Sequence, residues 1–172
     1  MSLDPDIILV GDIRDAETAT AAVDEALTGH LVLAAIQSDD AASAISRQVE
    51  LGVEPLLAAE IVIGSLAQRL VRLVCSRCGE PSEPPEDVAA EAMVDEREMD
   101  EPPQFRSGRG CGFCGDSVFV GRSGVFEVLP VDAIVRKQIV RGAFGPKLRD
   151  TAVKNGMVTV RRSGIEMARA GK

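Results

Sequence analysis

The chain has 172 residues, enough for one domain or one modest domain with a small appendage, and 45% of them are hydrophobic. Its core must be aliphatic, because it holds five Phe and no Trp or Tyr. A net charge of −8 excludes the broadly basic surface that nucleic-acid binding needs. No signal peptide and no apolar run of about 18 residues is visible, so the chain reads as cytosolic, where cysteines stay reduced and hold metal.

In chain order, Ile7-Ile8-Leu9-Val10 predicts a short buried strand. Asp15 predicts the cap of a helix over Ala16 to Leu27, with Glu17 in its first turn and Gly29 past its end. His30 to Ile36 reads as a second buried strand. A helix from about Asp40 to Leu51 follows, with Ala41, Ala42, Ile45 and Val49 inward and Gly52 as its stop. Strand, helix, strand, helix is the rhythm of a parallel α/β sheet. Pro55 opens a third helix expected to reach Leu70, nearly apolar throughout and therefore buried.

The four cysteines form two CxxC pairs, Cys75-Ser-Arg-Cys78-Gly and Cys111-Gly-Phe-Cys114-Gly, with thirty-two residues between them. Each pair presents two thiolates on one tight turn, and two such turns close a tetrahedral site suited to structural zinc. Two disulfides or four indifferent thiols are the plainer alternatives, and an iron–sulfur centre would use the same pattern. Glu80 to Pro103 holds five prolines and an excess of Asp and Glu. It reads as a solvated insertion, with a short helix over Val88 to Met99. Residues Val118 to Leu129, broken by Gly121-Arg-Ser-Gly124, suggest a hairpin beside the metal. From Asp132 onward two or three short helices are expected. The implied division is 1–70 as an α/β core, 71–129 as a tetracysteine subdomain with its insertion 80–103, and 130–172 as a helical region.

The first strand leads to Asp12, and a carboxylate at the carboxyl edge of such a sheet can hold Mg2+ through water or orient an attacking water. From spacing alone, Asp12 or Asp15 simply capping the next helix is the favoured reading. The whole string changes that balance. Asp4-Pro5-Asp6-Ile7-Ile8-Leu9-Val10-Gly11-Asp12-Ile13-Arg14-Asp15-Ala16-Glu17-Thr18 closely resembles the Walker B signature of the type II secretion and type IV pilus assembly ATPases. Thr28-Gly29-His30-Leu31-Val32-Leu33 and Asp39-Asp40-Ala41-Ala42 stand where that family has its His box. Leu51 to Pro55, Leu66 to Arg72, Gly121 to Leu129 and the tetracysteine element also match, the last marking the secretion and pilus-extension branches.

The resemblance implies a partial RecA-like parallel sheet from a cytoplasmic hexameric motor, peripheral at the inner membrane, that uses ATP and Mg2+ and works on a secretion or pilus platform. It places Asp12 as the Walker B acid, one methylene shorter than the family's glutamate, and Arg14 as its neighbouring arginine. It places His30 as the first histidine of the His box, catalytic or at an interface, although a packed residue bonded to backbone is an equal alternative. Gln37 stands in place of the second histidine; it can donate a hydrogen bond but carries no proton charge. No G-x4-GK[ST] loop is present in these residues, so the chain corresponds to the C-terminal part of such an ATPase and is expected to be inactive alone. The competing expectation is a stand-alone zinc-binding interaction module with a degenerate ATPase fold.

Overall fold

The computed structural model describes residues 5–93 and 104–172. Strand β1 (Ile7–Ile13) and strand β2 (Leu31–Ile36) form a parallel pair. Ile7 lies opposite Leu31 and Ile13 opposite Ile36, with a register shift between Val10 and Ile13. Helix α1 (Ala16–Leu27) connects them. The Asp15 carboxylate accepts from the Thr18 N–H at 2.8 Å, and that bond holds its carboxyl below the ordinary range. Helix α2 (Ala41–Glu50) follows, capped in the same way by Asp40, which accepts from the Ser43 N–H at 2.7 Å.

α1 packs on one face of the β1–β2 pair. Among the described residues nothing covers the other face: Ile7, Leu9, Leu31 and Leu33 are all exposed, Leu9 at 78%. Strands of parallel sheets are ordinarily covered on both faces.

Helix α3 (Pro55–Ile61) starts at Pro55 as expected but does not reach Leu70. Residues Gly64–Val74 form strand β3 instead, paired with the long strand β6 (Phe119–Pro130). The apolar run is therefore not a buried helix, and Leu66 and Leu70 are exposed on the strand. The expected hairpin over 118–129 is also absent, because β6 runs through Gly121–Gly124 without turning. Gly121 bends the strand at φ +79°. At Gly124 a Cβ would lie 2.7 Å from the Phe126 ring, so close ring approach, not a turn, requires glycine there.

Two strands follow the first cysteine pair and precede the second. β4 (Gly79–Pro81) and β5 (Arg106–Gly108) pair antiparallel, Gly79 opposite Gly108 and Pro81 opposite Arg106. Between them lies α4 (Glu86–Met93), covering part of the expected helix over Val88 to Met99; the remainder of that expectation lies outside the described residues. After β6 come α5 (Ala133–Val140), α6 (Pro146–Lys154) and α7 (Val160–Arg169).

Contacts group the chain into two units, Met1–Ala67 with Glu127–Met157 and Gln68–Phe126 with Val158–Lys172. The core of the first is small and aliphatic: Ala41, Ala42, Ile45, Ala58, Ile139 and Leu148 are fully buried where α2, α3, α5 and α6 meet. In the second, α4 docks on α7, so this part of the insertion is packed and not merely solvated. Its acidic residues Asp87 and Glu91, four apart on one helix face, both bind Arg161 at 2.9 and 2.7 Å. Arg162 donates to the Glu91 carbonyl at 3.0 Å and Arg169 to the Ala92 carbonyl at 2.8 Å, over a buried Ala92.

Candidate functional site

The structure brings all four cysteines together. Their sulfurs lie within 4.8 Å of one another, with Cys75–Cys111 at 4.0 Å, Cys78–Cys114 at 3.9 Å and Cys111–Cys114 at 3.7 Å. A tetrahedral site with metal–sulfur bonds of about 2.3 Å has edges of roughly 3.8 Å, so the cluster has the size such an ion requires. All four thiols are free, and their spacing is far too long for the disulfide alternative.

Local backbone bonds shape each knuckle. The Gly79 N–H donates to the Cys75 carbonyl at 2.8 Å, and the Cys114 and Asp116 N–H groups both donate to the Cys111 carbonyl at 3.1 Å. The Cys111 N–H points at the Cys114 sulfur at 3.3 Å. β6 begins by holding the first knuckle, since the Cys75 N–H donates to the Val118 carbonyl at 3.0 Å. Val118 itself sits at φ +62°, a region that costs a β-branched residue about 1–3 kcal/mol and persists only where the surroundings impose it. The Arg77 guanidinium stacks 4.1 Å from the centroid of the Phe113 ring, joining a residue inside the first pair to one inside the second.

Burial pushes the Cys78 thiol up, and the thiols of Cys75, Cys114 and Cys111 add to this, to about 11. Burial also pushes Cys114 up, but the Cys111 N–H and thiol, the Val118 N–H and the Cys78 thiol outweigh it and bring Cys114 down to about 7. Cys75 falls below its ordinary value: burial opposes this, while the N–H groups of Arg77 and Cys78 and the thiols of Cys78 and Cys111 prevail. The cluster thus offers anionic sulfur near neutral pH, which a cation would complete by displacing the remaining protons.

Gly79 tests how tightly this frame is drawn. A Cβ there would lie 2.8 Å from the Cys75 carbonyl oxygen and 2.9 Å from Val74 Cγ1. Gly79→Ala is expected to lower zinc affinity by about 10–100-fold, the range for disturbed outer-shell groups, in a competition titration against a chromogenic chelator. Unchanged affinity would mean that the first knuckle tolerates displacement.

The other candidate residues fall at the two ends of the β1–β2 pair. Asp12 lies near the carboxyl end of β1, and its Oδ2 accepts from Arg14 Nε at 2.6 Å. Its side chain is 24% exposed, so solvent reaches it. The Asp12 carboxylate, through that hydrogen bond and its charge, raises the Arg14 guanidinium above its ordinary value. Gln37 follows β2 at the same edge, exposed at the rim of a 560 Å3 hollow shared with Ser38, Asp39, Ser43, Ser46 and Arg47. His30 precedes β2 and therefore stands at the amino edge, roughly 18 Å of strand away. Its Nδ1 faces the Glu25 carbonyl at 3.1 Å, the Glu25 carboxylate at 3.1 Å and Thr28 Oγ1 at 2.9 Å. A carbonyl and a carboxylate only accept, which assigns the proton to Nδ1. Asp12 and Gln37 thus share the carboxyl edge, and His30 does not.

One polar residue escaped the sequence reading. Glu127 is 1% exposed, and its Oε1 accepts from the Ala41 N–H at 2.9 Å. Its signal was present: a carboxylate at the midpoint of Val125-Phe126-Glu127-Val128-Leu129 shares a strand face with Val125 and Leu129, both buried.

Comparison with known proteins accords with this layout. Over 168 residues the chain is 42% identical to the type IV pilus assembly ATPase PilB of Thermus thermophilus, covering 98% of this chain and 19% of that protein. It is 40% identical over 171 residues to the type II secretion system protein E of Pseudomonas aeruginosa, covering 91% of this chain and 34% of that one. The chain therefore spans between a fifth and about a third of these relatives. The crystal structure of the pilus retraction motor PilT with bound ADP shares its fold, at a TM-score of 0.63, 21% identity, and coverage of 98% of this chain and 37% of PilT. The family model for type II/IV secretion system proteins matches residues 1–172 from end to end, and the chain belongs to that family.

Proposed function

We propose that the chain is the C-terminal part of a cytoplasmic motor ATPase, peripheral at the inner membrane, that powers type II secretion or type IV pilus assembly. The observation that carries this is Asp12 and Gln37 at one edge of a parallel strand pair, in a chain similar to secretion and pilus ATPases over almost its whole length. The bare face of that pair, with Leu9 and Leu33 in solvent, suits a sheet that further segments of a longer polypeptide would cover. Among the described residues no helix is long and apolar enough to cross a membrane, which fits attachment through platform proteins.

In this reading ATP with Mg2+ supplies the phosphoryl group and the cation that draws off its charge. Asp12 would hold that cation through water, with the Arg14 hydrogen bond aiming the carboxylate, and Gln37 would donate a hydrogen bond to a phosphate oxygen. His30 would hold the α1–β2 turn and take part in contacts between subunits of a hexamer. The tetracysteine centre would carry zinc as a closed structural site, since four sulfurs leave no open position for catalysis.

The sequence holds no GxxxxGK[ST] loop, the element that would cradle the β- and γ-phosphates. The purified chain is therefore expected to show no Mg2+-dependent ATP hydrolysis above background in a phosphate-release assay, and measurable turnover would overturn this. Sequencing the DNA immediately upstream of Met1 tests the motor reading, which requires an in-frame GxxxxGK[ST] loop. The stand-alone zinc module draws support from the short Asp12 side chain, already engaged by Arg14. A stop codon directly upstream would favour it.

A further inference from the structure

Helix α2 begins immediately after the segment that carries Gln37, so whatever fixes its first turn fixes the approach of Gln37 to the sheet edge. Two groups from distant parts of the first unit meet that turn, and a third holds the turn after it. Glu127 of β6 accepts from the Ala41 N–H at 2.9 Å, the Asp40 cap faces Arg149 Nε of α6 at 3.6 Å, and Ser46 Oγ accepts from the Gly145 N–H at 2.8 Å. Glu127 is the most deeply buried of the charged groups, and its partner Ala41 is 0% exposed. The first N–H groups of a helix have no partner within it, and a buried one left unbonded is costly.

We propose that Glu127 is a positioning residue, which clamps the start of α2 and thereby sets the Gln37–Asp40 segment at the carboxyl edge of the β1–β2 pair; this rests on the nucleotide-site reading of that edge. The clamp has an electrostatic corollary. Two carboxylates, Asp40 and Glu127, already occupy the positive end of α2, so that end does not draw a phosphate. Contact with an anionic ligand falls to the Gln37 side chain, whose placement then depends on the clamp.

Residue-resolved amide exchange of the 172-residue chain, without nucleotide, tests this. In the wild type the Ala41 amide is expected to exchange at least about tenfold more slowly than that of Ala16, the exposed first residue of α1, as one net hydrogen bond would cause. Glu127→Met keeps length and burial but removes the acceptor, so Ala41 and residues 38–40 should speed up by roughly tenfold while Leu9 and Val10 of β1 stay unchanged. Glu127→Gln retains an acceptor oxygen and should restore the wild-type rates within about threefold. Equal rates for Ala41 and Ala16, no change in Glu127→Met, a uniform rise across the unit, or Glu127→Gln behaving like Glu127→Met would each overturn the proposal. If Glu127→Met fails to fold, the wild-type and Glu127→Gln rates decide it. Failure of the nucleotide reading would appear separately, as no ATP binding by the longer protein while these exchange ratios held.

Discussion

Cys75→Ser is expected to abolish stoichiometric metal binding, from one zinc per chain to a small fraction, by elemental analysis after gel filtration. Cys75 is the buried member of the set, and its sulfur lies 4.0 Å from that of Cys111 in the other knuckle. Serine offers a harder, poorly ionised oxygen on a shorter bond. Affinity should fall by more than the roughly 100-fold seen for outer-shell changes. Structural zinc contributes about 10–16 kcal/mol of apparent binding free energy in small zinc-folded peptides, so its loss should release the local fold as well. Amide exchange should rise across β4, β5 and the start of β6, including the Cys75 N–H that Val118 now accepts. Chelation of the wild type should give the same pattern. Colourless, metal-bearing protein excludes the iron–sulfur alternative, whereas a wild-type chain without metal, or a serine variant that keeps its ion, would refute the zinc centre.

The first unit has a different weak point. Ile45 is fully buried on α2 against a core of Ala58, Ile139 and Leu148. Ile45→Ala should destabilise this unit by about 2–5 kcal/mol, the range for such truncations where the site cannot collapse. Urea titration followed by exchange within α2 and α5 would measure it. Metal content should stay at one ion per chain, because all four sulfurs belong to the other unit. As a control, Ile63→Ala removes a side chain that is 71% exposed and should change stability by no more than about 0.5 kcal/mol. A loss below 1 kcal/mol at Ile45 would show that the small core relaxes around the cavity.

Elements that state their own ends were legible from sequence. Asp15 is a cap with a backbone partner as well as the right residue type, and α1 matches its expected span residue for residue, whereas Asp40, expected as the start of α2, is its cap. Gly52 after α2 and Pro55 at the start of α3 worked the same way. The misreading after Ile61 has a specific source. Leu66, Leu70 and Leu73 fall at i, i+4 and i+7, which satisfies a helix, while alternation within Gly64–Val74 is interrupted and satisfies a strand poorly. The strand forms because its partner is β6, and that long-range pairing leaves no mark in the local period. The error at Gly121–Gly124 is of the opposite kind: glycines read as a turn serve a bend and a ring contact inside one strand.

At the site, the cysteine spacing was sufficient to expect four sulfurs together, because each CxxC turn presents two sulfurs independently of the fold between them. The nucleotide-site residues were harder. Strands that run parallel send the residue before β2 and the residue near the end of β1 to opposite edges, so His30 and Asp12 stand apart. That consequence was available from the strand order alone. Glu127 needed more: its burial could be read from alternation, but its Ala41 partner, 86 positions away, could not.

The ladder between β4 and β5 also imposes an order in time. Cys111 is made thirty-three residues after Cys78, which on a ribosome adding about 5–20 residues per second is a delay of roughly 2–7 s. Throughout that interval a nascent chain offers a metal two sulfurs, with neither the second knuckle nor the Val118 carbonyl yet made. Only when Arg106–Gly108 lies against Gly79–Pro81 do both pairs face the same point. An ion captured early would therefore be held by half a site and could still be exchanged, and a choice among soft cations would fall at closure, after translation has passed Cys114.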